Sequence, residues 1–489
     1  MILSPPLSIN TSLFDVHVIV REDVGIIFHP DTLAFFKVDV KTARIVRDIV
    51  EGISPTQAAI KYDLPITKIE GFLATLQNEI NHQANVRPPK LYDTELLGDR
   101  LILLVSQDCN LRCRYCNASG GDYGQGRGLM SPALAVHVIE NFVQDGEFLF
   151  QGVQFFGGEP TMNLAAVRAV CEYLSSAYRD GRITHMPWFA LITNGIQVSD
   201  KFVRLIQDYQ IKVTFSIDGP QNLHDHYRVD LGGRGTYHRV TKNLKKLRAV
   251  TGDQKPEAVE ATVTCRHLKE GYNHRSLQQF FEEELGIHRT HLALIEAGYD
   301  KAGRVTDQER TQWLIDAQAS VIQDLMRGEP WASTLGLRLL KKLVFKRISP
   351  YLCPVGIAAL TVNVDGSIYP CYQLMDPSFY MGKAIEKGVW KTATYQQVEQ
   401  RMRASDKFHN AKCKACWARG VCSGCLGELF AATGSINQRM EPVCNGIRGG
   451  LEEVLYGLLK LRSDPDTWRQ ILENLKDKST QPGSTSEQY

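Results

Sequence analysis

The stretch "CNLRCRYC" at residues 109–116 places three cysteines within eight residues, directly after the apolar run "LILLVS" at 101–106. The apolar run has the length and composition of a buried strand. Three thiols spaced C-x3-C-x2-C can bind three irons of a four-iron cluster and leave the fourth iron open, whereas a ferredoxin-type site supplies a fourth cysteine. Half of a zinc site is the alternative, but zinc prefers four closed ligands and no fourth cysteine follows nearby. The stretch therefore predicts an iron–sulfur site on a loop after a buried strand.

The composition describes the rest of the chain as an ordinary globular protein. It has 489 residues, of which 43% are hydrophobic and 22% charged, with a net charge of +2. The balanced charge disfavours nucleic acid and acidic membrane surfaces as partners. No signal peptide and no apolar run of about 20 residues is found, so we expect a cytoplasmic chain with no membrane span. Twelve cysteines, mostly clustered, then indicate metal or redox chemistry rather than disulfides.

Strands and amphipathic helices alternate through residues 98–306, which predicts a parallel sheet with crossover helices. The six candidate strands are LILLVS (101–106), VQFFG (153–157), WFALIT (188–193), KVTFSI (212–217), VEATVT (259–264) and HLALIE (291–296). Six such units predict an α/β fold of the partial (β/α)6 TIM-barrel kind, since a closed barrel needs eight. Ligands then bind at the carboxyl ends of the strands, where the loop at 109–116 begins.

Four further segments surround this predicted barrel. Residues 1–97 contain three short strands (HVIVRE, GIIFHP and LAFFKV) and then three helices, which predicts a winged-helix-like domain ending in a polar, proline-containing linker. Residues 307–349 form a helical bridge of two helices, and 350–447 hold the remaining clustered cysteines. Residues 448–489 contain a last helix and the tail KDKSTQPGSTSEQY, whose polar composition predicts disorder.

The C-x3-C-x2-C spacing resembles the signature of the radical S-adenosylmethionine (SAM) superfamily, and the supporting motifs of that superfamily follow in order. FFGGEP (155–160) resembles its GGE motif, TNG (193–195) ends the third strand, and SIDGPQNLHDHYR (216–228) ends the fourth. The resemblance implies that Cys109, Cys113 and Cys116 bind the catalytic cluster. It implies that SAM is held by Tyr115, Gly157, Gly158, Glu159, Asn194, Ser216, Asp218 and Arg228. Without the resemblance, GGEP is an ordinary turn, and Ser216 and Asp218 are helix caps.

The C-terminal cysteines resemble the SPASM domain, which carries auxiliary iron–sulfur clusters. The matching features are Cys353, the segment GSIYPC, the run C-x2-C-x5-C and a final cysteine, although the run continues with x2 where the family usually has x3. The resemblance implies one auxiliary cluster on Cys413, Cys416, Cys422 and Cys444 and another on Cys353, Cys371 and Cys425, hence three [4Fe–4S] clusters in all. The second auxiliary set is one ligand short, so it takes a non-cysteine ligand or leaves an iron open for a substrate thiolate. Taken alone, the same C-x2-C pairs suit zinc equally well, whereas Cys171 and Cys265 stand apart and suit buried structural thiols.

The N-terminal segment resembles the PqqD-type recognition element of peptide-maturation enzymes, which takes a leader peptide as an added strand. The accepting edge would be HVIVRE or LAFFKV. A winged helix can also bind DNA, but the candidate recognition helix, ITKIEGFLATLQNEI, has one lysine and two glutamates, which is a poor footprint for phosphate contacts.

The whole arrangement, over about residues 15 to 447, resembles maturases of ribosomally made peptides. It is most similar to thioether-forming members, the ranthipeptide and quinohemoprotein amine dehydrogenase maturases. Sulfatase maturases share the barrel but typically carry an aspartate base where this chain has Tyr372. We therefore expect an enzyme that joins a cysteine sulfur to a carbon of a precursor peptide, with a flavodoxin- or ferredoxin-type electron donor.

Two other functions stay open at the level of sequence. The first is a radical SAM maturase that forms carbon–carbon crosslinks or epimerised residues, because the motifs do not distinguish these reactions from thioether formation. The second is a zinc-containing, winged-helix DNA-binding regulator, which the near-neutral charge disfavours.

Overall fold

A computed structural model describes residues 12–88, 90–91, 98–296, 304–328 and 334–479. The chain begins with an antiparallel sheet of order β1-β2-β3, formed by β1 (His17–Val20), β2 (Gly25–His29) and β3 (Ala34–Val38). The helices α1 (Val40–Val50), α2 (Pro55–Tyr62) and α3 (Ile66–Val86) follow. The last helix continues into the segment for which the sequence predicts a linker, and residues 89 and 92–97 of that segment lie outside the described residues.

The middle of the chain alternates strands and helices as the sequence predicts. After β4 (Lys90–Leu91) come β5 (Arg100–Ser106), α4 (Pro132–Asn141), β6 (Val143–Gln144), β7 (Glu147–Phe148), β8 (Gly152–Gly157), α5 (Leu164–Arg179), β9 (Trp188–Thr193), α6 (Asp200–Asp208), β10 (Lys212–Ser216), α7 (Gln221–Tyr227), α8 (Tyr237–Thr251), β11 (Ala258–Val263), α9 (Cys265–Lys269), α10 (His274–Leu285) and β12 (Thr290–Leu294). The strands β5, β8, β9, β10, β11 and β12 are parallel neighbours in one sheet. The expected partial barrel of six parallel strands is confirmed.

The C-terminal third is mostly helical but contributes strands to the same sheet. Its elements are α11 (Asp307–Met326), α12 (Thr334–Val344), β13 (Arg347–Ile348), β14 (Ala359–Val362), β15 (Ile368–Tyr369), α13 (Ala393–Ala404), α14 (Ala411–Lys414), α15 (Leu426–Thr433), α16 (Glu441–Arg462) and α17 (Pro465–Ser479). The strand β14 pairs in parallel with β5, in the register Leu360 to Leu101, and β15 extends the sheet further. The sequence separates the barrel from the cysteine-rich region, whereas one eight-stranded sheet contains strands from both.

The end of the chain differs from the predicted disorder of residues 476–489. The helix α17 extends to Ser479, and residues 480–489 lie outside the described residues. Ile471 and Leu475 of this helix are buried in one cluster with Leu455 and Leu458 of α16. Apolar side chains at helical spacing therefore anchor the segment just before the polar tail.

One loop of the cysteine-rich region contacts the N-terminal domain through charged and aromatic side chains. Arg419 is buried and forms ion pairs with Asp15 and with Asp31 at 2.8 Å. Trp417 stacks on His17, with ring centroids 3.7 Å apart, and meets the edge of Phe28. Because this loop lies between Cys416 and Cys422, the docking of the first domain and the placement of those cysteines depend on each other.

Replacing Arg419 by methionine is expected to loosen this domain. Asp15 and Asp31 would lose a charged partner in a half-buried interface, and hydrogen bonds to charged groups contribute about 1.5–3 kcal/mol each. The measurement is hydrogen exchange of the β2 amides, which should speed up in the variant.

The matched control is Arg21→Met, which removes an ion pair to Glu453 of α16, outside the cysteine loop. Since that pair is more exposed, it should contribute about 0–1 kcal/mol. Equal exchange rates in the two variants would contradict a special role of the cysteine loop.

Within the described ranges, no helix is both long and apolar enough to cross a membrane.

Candidate functional site

The three cysteines of the first motif lie on the loop that leaves β5 at its carboxyl end. The loop runs beside the segment after α7, where Arg112 N donates to Val229 O at 2.8 Å and Arg114 N donates to Tyr227 O at 2.9 Å. This pairing holds the loop over the open end of the barrel, and the contact joins residues more than 100 positions apart in the chain.

The sulfur atoms of this loop receive backbone hydrogen bonds. Leu111 N donates to Cys109 Sγ at 3.4 Å, and Gly120 N donates to Cys116 Sγ at 3.4 Å. Burial raises the pKa of the Cys109 thiol to about 11 and that of Cys113 to about 12. With such pKa values these thiols stay protonated at neutral pH until a metal displaces the proton. Amide donors aimed at the sulfurs then suit ligated thiolates, so the loop fits an iron–sulfur cluster.

The glycine pair of the second motif contacts this loop through its backbone. Gly158 N donates to Ser106 O at 2.7 Å, and Glu159 N donates to Asp108 O at 2.9 Å. A Cβ on Gly158 would lie 2.8 Å from the Cα of Gly121, which follows the cysteine loop. Two glycine backbones therefore touch where the strand β8 ends, and neither position tolerates a side chain.

Gly157→Ala is expected to disrupt this contact. Gly157 has a φ of +129°, and its added Cβ would lie 2.1 Å from the backbone oxygen of Ser106. A residue forced into such a region costs on the order of 1–3 kcal/mol before the clash is counted. The measurements are equilibrium binding of SAM and the iron content after reconstitution, both of which should fall.

Gly124→Ala is the matched control, because Gly124 also has a positive φ (+72°) but would place its Cβ in open space. It should lose stability without losing SAM binding. Equal SAM binding by the two variants would contradict the importance of the close approach at β8.

The carboxylate of Glu159 is buried and already holds the neighbouring strand ends together. Its Oε1 accepts hydrogen bonds from Thr161 Oγ1 at 2.6 Å and Thr193 Oγ1 at 2.7 Å, and its Oε2 accepts one from Asn194 N at 2.8 Å. Burial raises the pKa of Glu159, although these hydrogen bonds oppose the shift. An ionised carboxylate oxygen has room for about two donors, so Oε2 retains an acceptor position for a ligand cation.

Asn194, from the third motif, reaches the cysteine loop itself. Its Nδ2 donates to Asn110 Oδ1 at 2.7 Å and lies 3.6 Å from Cys109 Sγ. Ser216 is buried at the end of β10, one strand further along the sheet. Glu159 and Asn194 thus both contact the cysteine loop or the residue before it, and Ser216 ends the neighbouring strand.

Asp218 and Arg228 form a buried ion pair behind the cysteine loop. Arg228 Nε donates to Asp218 Oδ1 at 3.0 Å, and Tyr115 OH donates to Oδ2 at 2.7 Å. Burial would raise the pKa of Asp218, but the charge of Arg228, together with His224, His267 and the Tyr115 hydrogen bond, outweighs it and the pKa is lowered. The guanidinium also lies 5.7 Å from the centre of the Tyr115 ring. In this arrangement Asp218 orients Tyr115 and Arg228, a linking role that the sequence did not reveal.

Three of the C-terminal cysteines form an inner group beside the barrel: Cys353, Cys371 and Cys425. Burial raises the pKa of Cys371 to about 12, and the nearby Cys353 contributes to that shift. Cys425 caps the N-terminus of α15, where its Sγ accepts a hydrogen bond from Glu428 N at 3.3 Å. Burial raises the pKa of Cys425, and the nearby Glu296, Cys371 and Cys353 add to the shift, so the shortened x2 spacing still places Cys425 close to the other two cysteines. Cys425 also lines a cavity together with Cys422.

The remaining four cysteines, Cys413, Cys416, Cys422 and Cys444, form an outer group. They line a cavity of about 50 Å³, and Arg439 Nε donates to Cys413 Sγ at 3.1 Å. The fully buried Lys407 donates to the backbone oxygen of Cys422 at 2.7 Å. Buried cations need compensating negative charge, which an iron–sulfur cluster with four thiolate ligands would supply.

No group of three or more His, Cys, Asp or Glu side chains in the described part of the chain is arranged to hold a single metal ion. A four-iron cluster asks for a different arrangement, because each of its cysteines binds a different iron. Cys171 and Cys265 are both buried and lie in hydrophobic clusters.

Several residues of this site escaped sequence reasoning. Gly121 and Asp108 support the glycine pair, and Gln373 and Glu296 lie between the first cysteine loop and the inner group. One signal was available for Glu296, since it is the polar last residue of the sixth predicted strand, HLALIE. Gly121 carried no such signal, because its partner lies 37 positions away.

Comparison with known protein families identifies two domains. Residues 103–280 match the model of the radical SAM superfamily. Residues 353–417 match SPASM, an iron–sulfur cluster-binding domain. The first match covers the barrel from β5 to α10, and the second contains Cys353, Cys371, Cys413 and Cys416.

Several curated proteins are similar over most of their length. The cysteine-type anaerobic sulfatase-maturating enzyme of Clostridium novyi (strain NT) is 22% identical over 66% of this chain and 87% of its own. The AdoMet-dependent heme synthase of Methanosarcina barkeri (strain Fusaro) is 25% identical over 70% and 94%. Among solved structures, native anSMEcpe with bound AdoMet has a TM-score of 0.61, with 18% identity over 75% of this chain and 99% of that one. These likenesses establish the radical SAM α/β fold with a C-terminal SPASM domain.

Proposed function

We propose that this chain, a radical SAM enzyme with a C-terminal SPASM domain, is a maturase that joins a cysteine sulfur of a precursor peptide to one of its carbon atoms. The inner group carries the proposal, because it offers three cysteines rather than four and faces the barrel. Tyr372, next to Cys371, packs on Phe156 of β8 with ring centroids 4.6 Å apart. A substrate thiolate at the inner group would therefore lie beside the residues proposed to hold SAM.

The proposed roles of the barrel residues follow from their contacts. Cys109, Cys113 and Cys116 bind the first [4Fe–4S] cluster, at which one-electron cleavage of SAM supplies a 5′-deoxyadenosyl radical. The backbone of Gly157 and Gly158 gives SAM close access to the loop. The residues proposed to contact or position SAM are Tyr115, Glu159, Asn194, Ser216, Asp218 and Arg228. Together they orient the substrate carbon and keep water away from a reactive radical.

The N-terminal domain is proposed to bind the leader of the precursor peptide. In the described residues, neither β1 nor β3 has a strand on its outer edge. At β1, His17 stacks on Trp417 and pairs with Glu452 of α16, and Arg21, the residue directly after the strand, pairs with Glu453. At β3, Arg462 of α16 lies over Phe35. A leader can add to a free edge by main-chain hydrogen bonds. We therefore favour β3, the LAFFKV segment, over β1 as the accepting edge.

Sulfatase maturation is the function of several relatives, and one local feature argues against it here. The residue after Cys371 is Tyr372, whose ring packs on Phe156 and whose pKa is raised well above its usual value by burial. An aromatic residue in this place offers no carboxylate base.

The surplus electron is proposed to leave through the inner and outer groups to a flavodoxin- or ferredoxin-type protein, which also supplies the electron for the first cluster.

The test uses the reconstituted full chain with each short cysteine-containing peptide encoded beside its gene. Thioether formation lowers the peptide mass by two hydrogen atoms and blocks one thiol from alkylation. A carbon–carbon crosslink also removes two hydrogen atoms but leaves the thiol reactive, and epimerisation leaves the mass unchanged. Either of these results would replace the thioether proposal, and zinc with little sulfide in the purified protein would overturn the radical mechanism.

A further inference from the structure

Glu296 lies two residues after β12, between the first cysteine loop and the inner group. Asn117 Nδ2, one residue after Cys116, donates to Glu296 Oε2 at 3.4 Å. Gln373 Nε2 donates to the other carboxylate oxygen, and Gln373 Oε1 accepts a hydrogen bond from Cys425 Sγ at 2.8 Å. A continuous chain of hydrogen bonds thus connects this carboxyl group to a cysteine of the inner group.

The surroundings of Glu296 favour a carboxyl that exchanges its proton near neutral pH. Burial raises its pKa to about 7, and the like charge of Glu428 adds to the shift. The amides of Asn117 and Gln373 and the charge of Arg310 oppose it. Arg310 is itself paired with Glu428 at 2.9 Å. A group with this behaviour can both accept and release a proton during turnover.

A second buried carboxyl, Glu260 on β11, has a different position. Its pKa is also raised to about 7 by burial, but the charges that act on it are those of Arg228 and Asp218. Glu260 therefore lies toward Arg228 and Asp218, two of the residues proposed for the SAM site. The two carboxyls have similar proton affinities and different neighbours, which makes Glu260 a matched comparison for Glu296.

We propose that Glu296 accepts the proton that the substrate cysteine loses when it binds to the inner group as a thiolate. The inference rests on the proposed thioether function. On binding, the S–H bond breaks and one proton is released; the carbon radical and the thiolate then form one C–S bond and release one electron. The proton passes to the Glu296 carboxylate, and the electron passes to an oxidised iron–sulfur cluster on Cys353, Cys371 and Cys425. The acceptors of both particles then lie next to each other, joined through Gln373.

This arrangement has a consequence that requires no peptide. An electron on the inner group adds negative charge beside Glu296, so the carboxyl binds its proton more tightly when the cluster is reduced. By linkage, protonation then favours reduction. The midpoint potential should fall as pH rises through the pKa of Glu296, approaching 59 mV per pH unit for one proton per electron.

The experiment is a potentiometric titration of the anaerobic, reconstituted full chain, followed by electron paramagnetic resonance. The background carries alanine at Cys109, Cys113 and Cys116, so that only the auxiliary clusters contribute. One auxiliary signal should depend on pH near neutrality; E296Q should remove that dependence, whereas E260Q should retain it. A pH-independent potential in the parent protein, or an unchanged slope in E296Q, would overturn the proposal.

Glu296→Asp guards against a folding defect, because it keeps a carboxyl group and should keep the slope. Iron and sulfide contents equal to those of the parent show that the clusters are retained. Once a peptide that the parent enzyme crosslinks is known, E296Q should still form 5′-deoxyadenosine with it. Crosslinking should fall by about 10²-fold or more, the usual contribution of a proton acceptor. Undiminished crosslinking in E296Q would refute the role of Glu296 and leave the proposed function intact. A parent enzyme that forms no thioether would refute the proposed function itself.

Discussion

The variant with alanine at Cys109, Cys113 and Cys116 is expected to contain about four fewer irons and about four fewer sulfides than the parent chain. It should also produce no 5′-deoxyadenosine from SAM. The reason is that these three cysteines alone lie on the loop over the open end of the barrel, so no other thiol there can replace them. Iron, labile sulfide and 5′-deoxyadenosine are measured after anaerobic reconstitution.

Cys171→Ala is the control for this experiment. Cys171 is fully buried among the apolar side chains of α5, so its loss should affect packing but not iron content. The parent chain should hold about twelve irons if all three sites carry four-iron clusters. A triple variant with unchanged iron, or a Cys171→Ala variant that loses four, would contradict the assignment of the first motif.

Arg228→Met is expected to cause the largest loss of stability among single substitutions in the barrel. Asp218 is fully buried, so it would be left as an unpaired charge. Breaking one partner of a buried ion pair costs about 3–5 kcal/mol. Tyr115 would lose part of its support at the same time, so SAM binding should weaken together with the thermal stability measured by calorimetry.

The double variant Arg228→Met/Asp218→Leu separates these two effects. Removing both charges avoids the unpaired carboxylate, so part of the stability should return, whereas SAM binding should stay weak because Tyr115 is still unsupported. If the double variant lost as much stability as the two single variants added together, the pairing of Arg228 with Asp218 would be contradicted.

The ion pair also predicts a dependence of stability on pH. Because the pKa of Asp218 is lowered in the folded chain, its contribution is fully present above the unfolded value of about 3.9. That contribution is lost as pH falls through the folded pKa. The difference in melting temperature between the parent and Arg228→Met should therefore shrink in strong acid.

The sequence by itself determined the strand order, the partial barrel and the position of each motif at a strand end. These features depend on local patterns: apolar runs such as 101–106, glycines at 157–158, and cysteines separated by two or three residues. Parallel strands bring their carboxyl ends to one edge, so local spacing was enough to predict that the motifs meet. The grouping of Cys413, Cys416 and Cys422 was implied by the resemblance to the SPASM domain.

Only the tertiary structure decided how distant segments contact one another. Tyr115 and Asp218 are 103 positions apart, and the link from Asn117 through Glu296 to Gln373 crosses three regions of the chain. It was also the fold that joined β14 to the barrel sheet and attached the first domain to the loop of Trp417 and Arg419. Such contacts depend on packing and burial after the chain has closed on itself, and residue spacing along the sequence encodes neither.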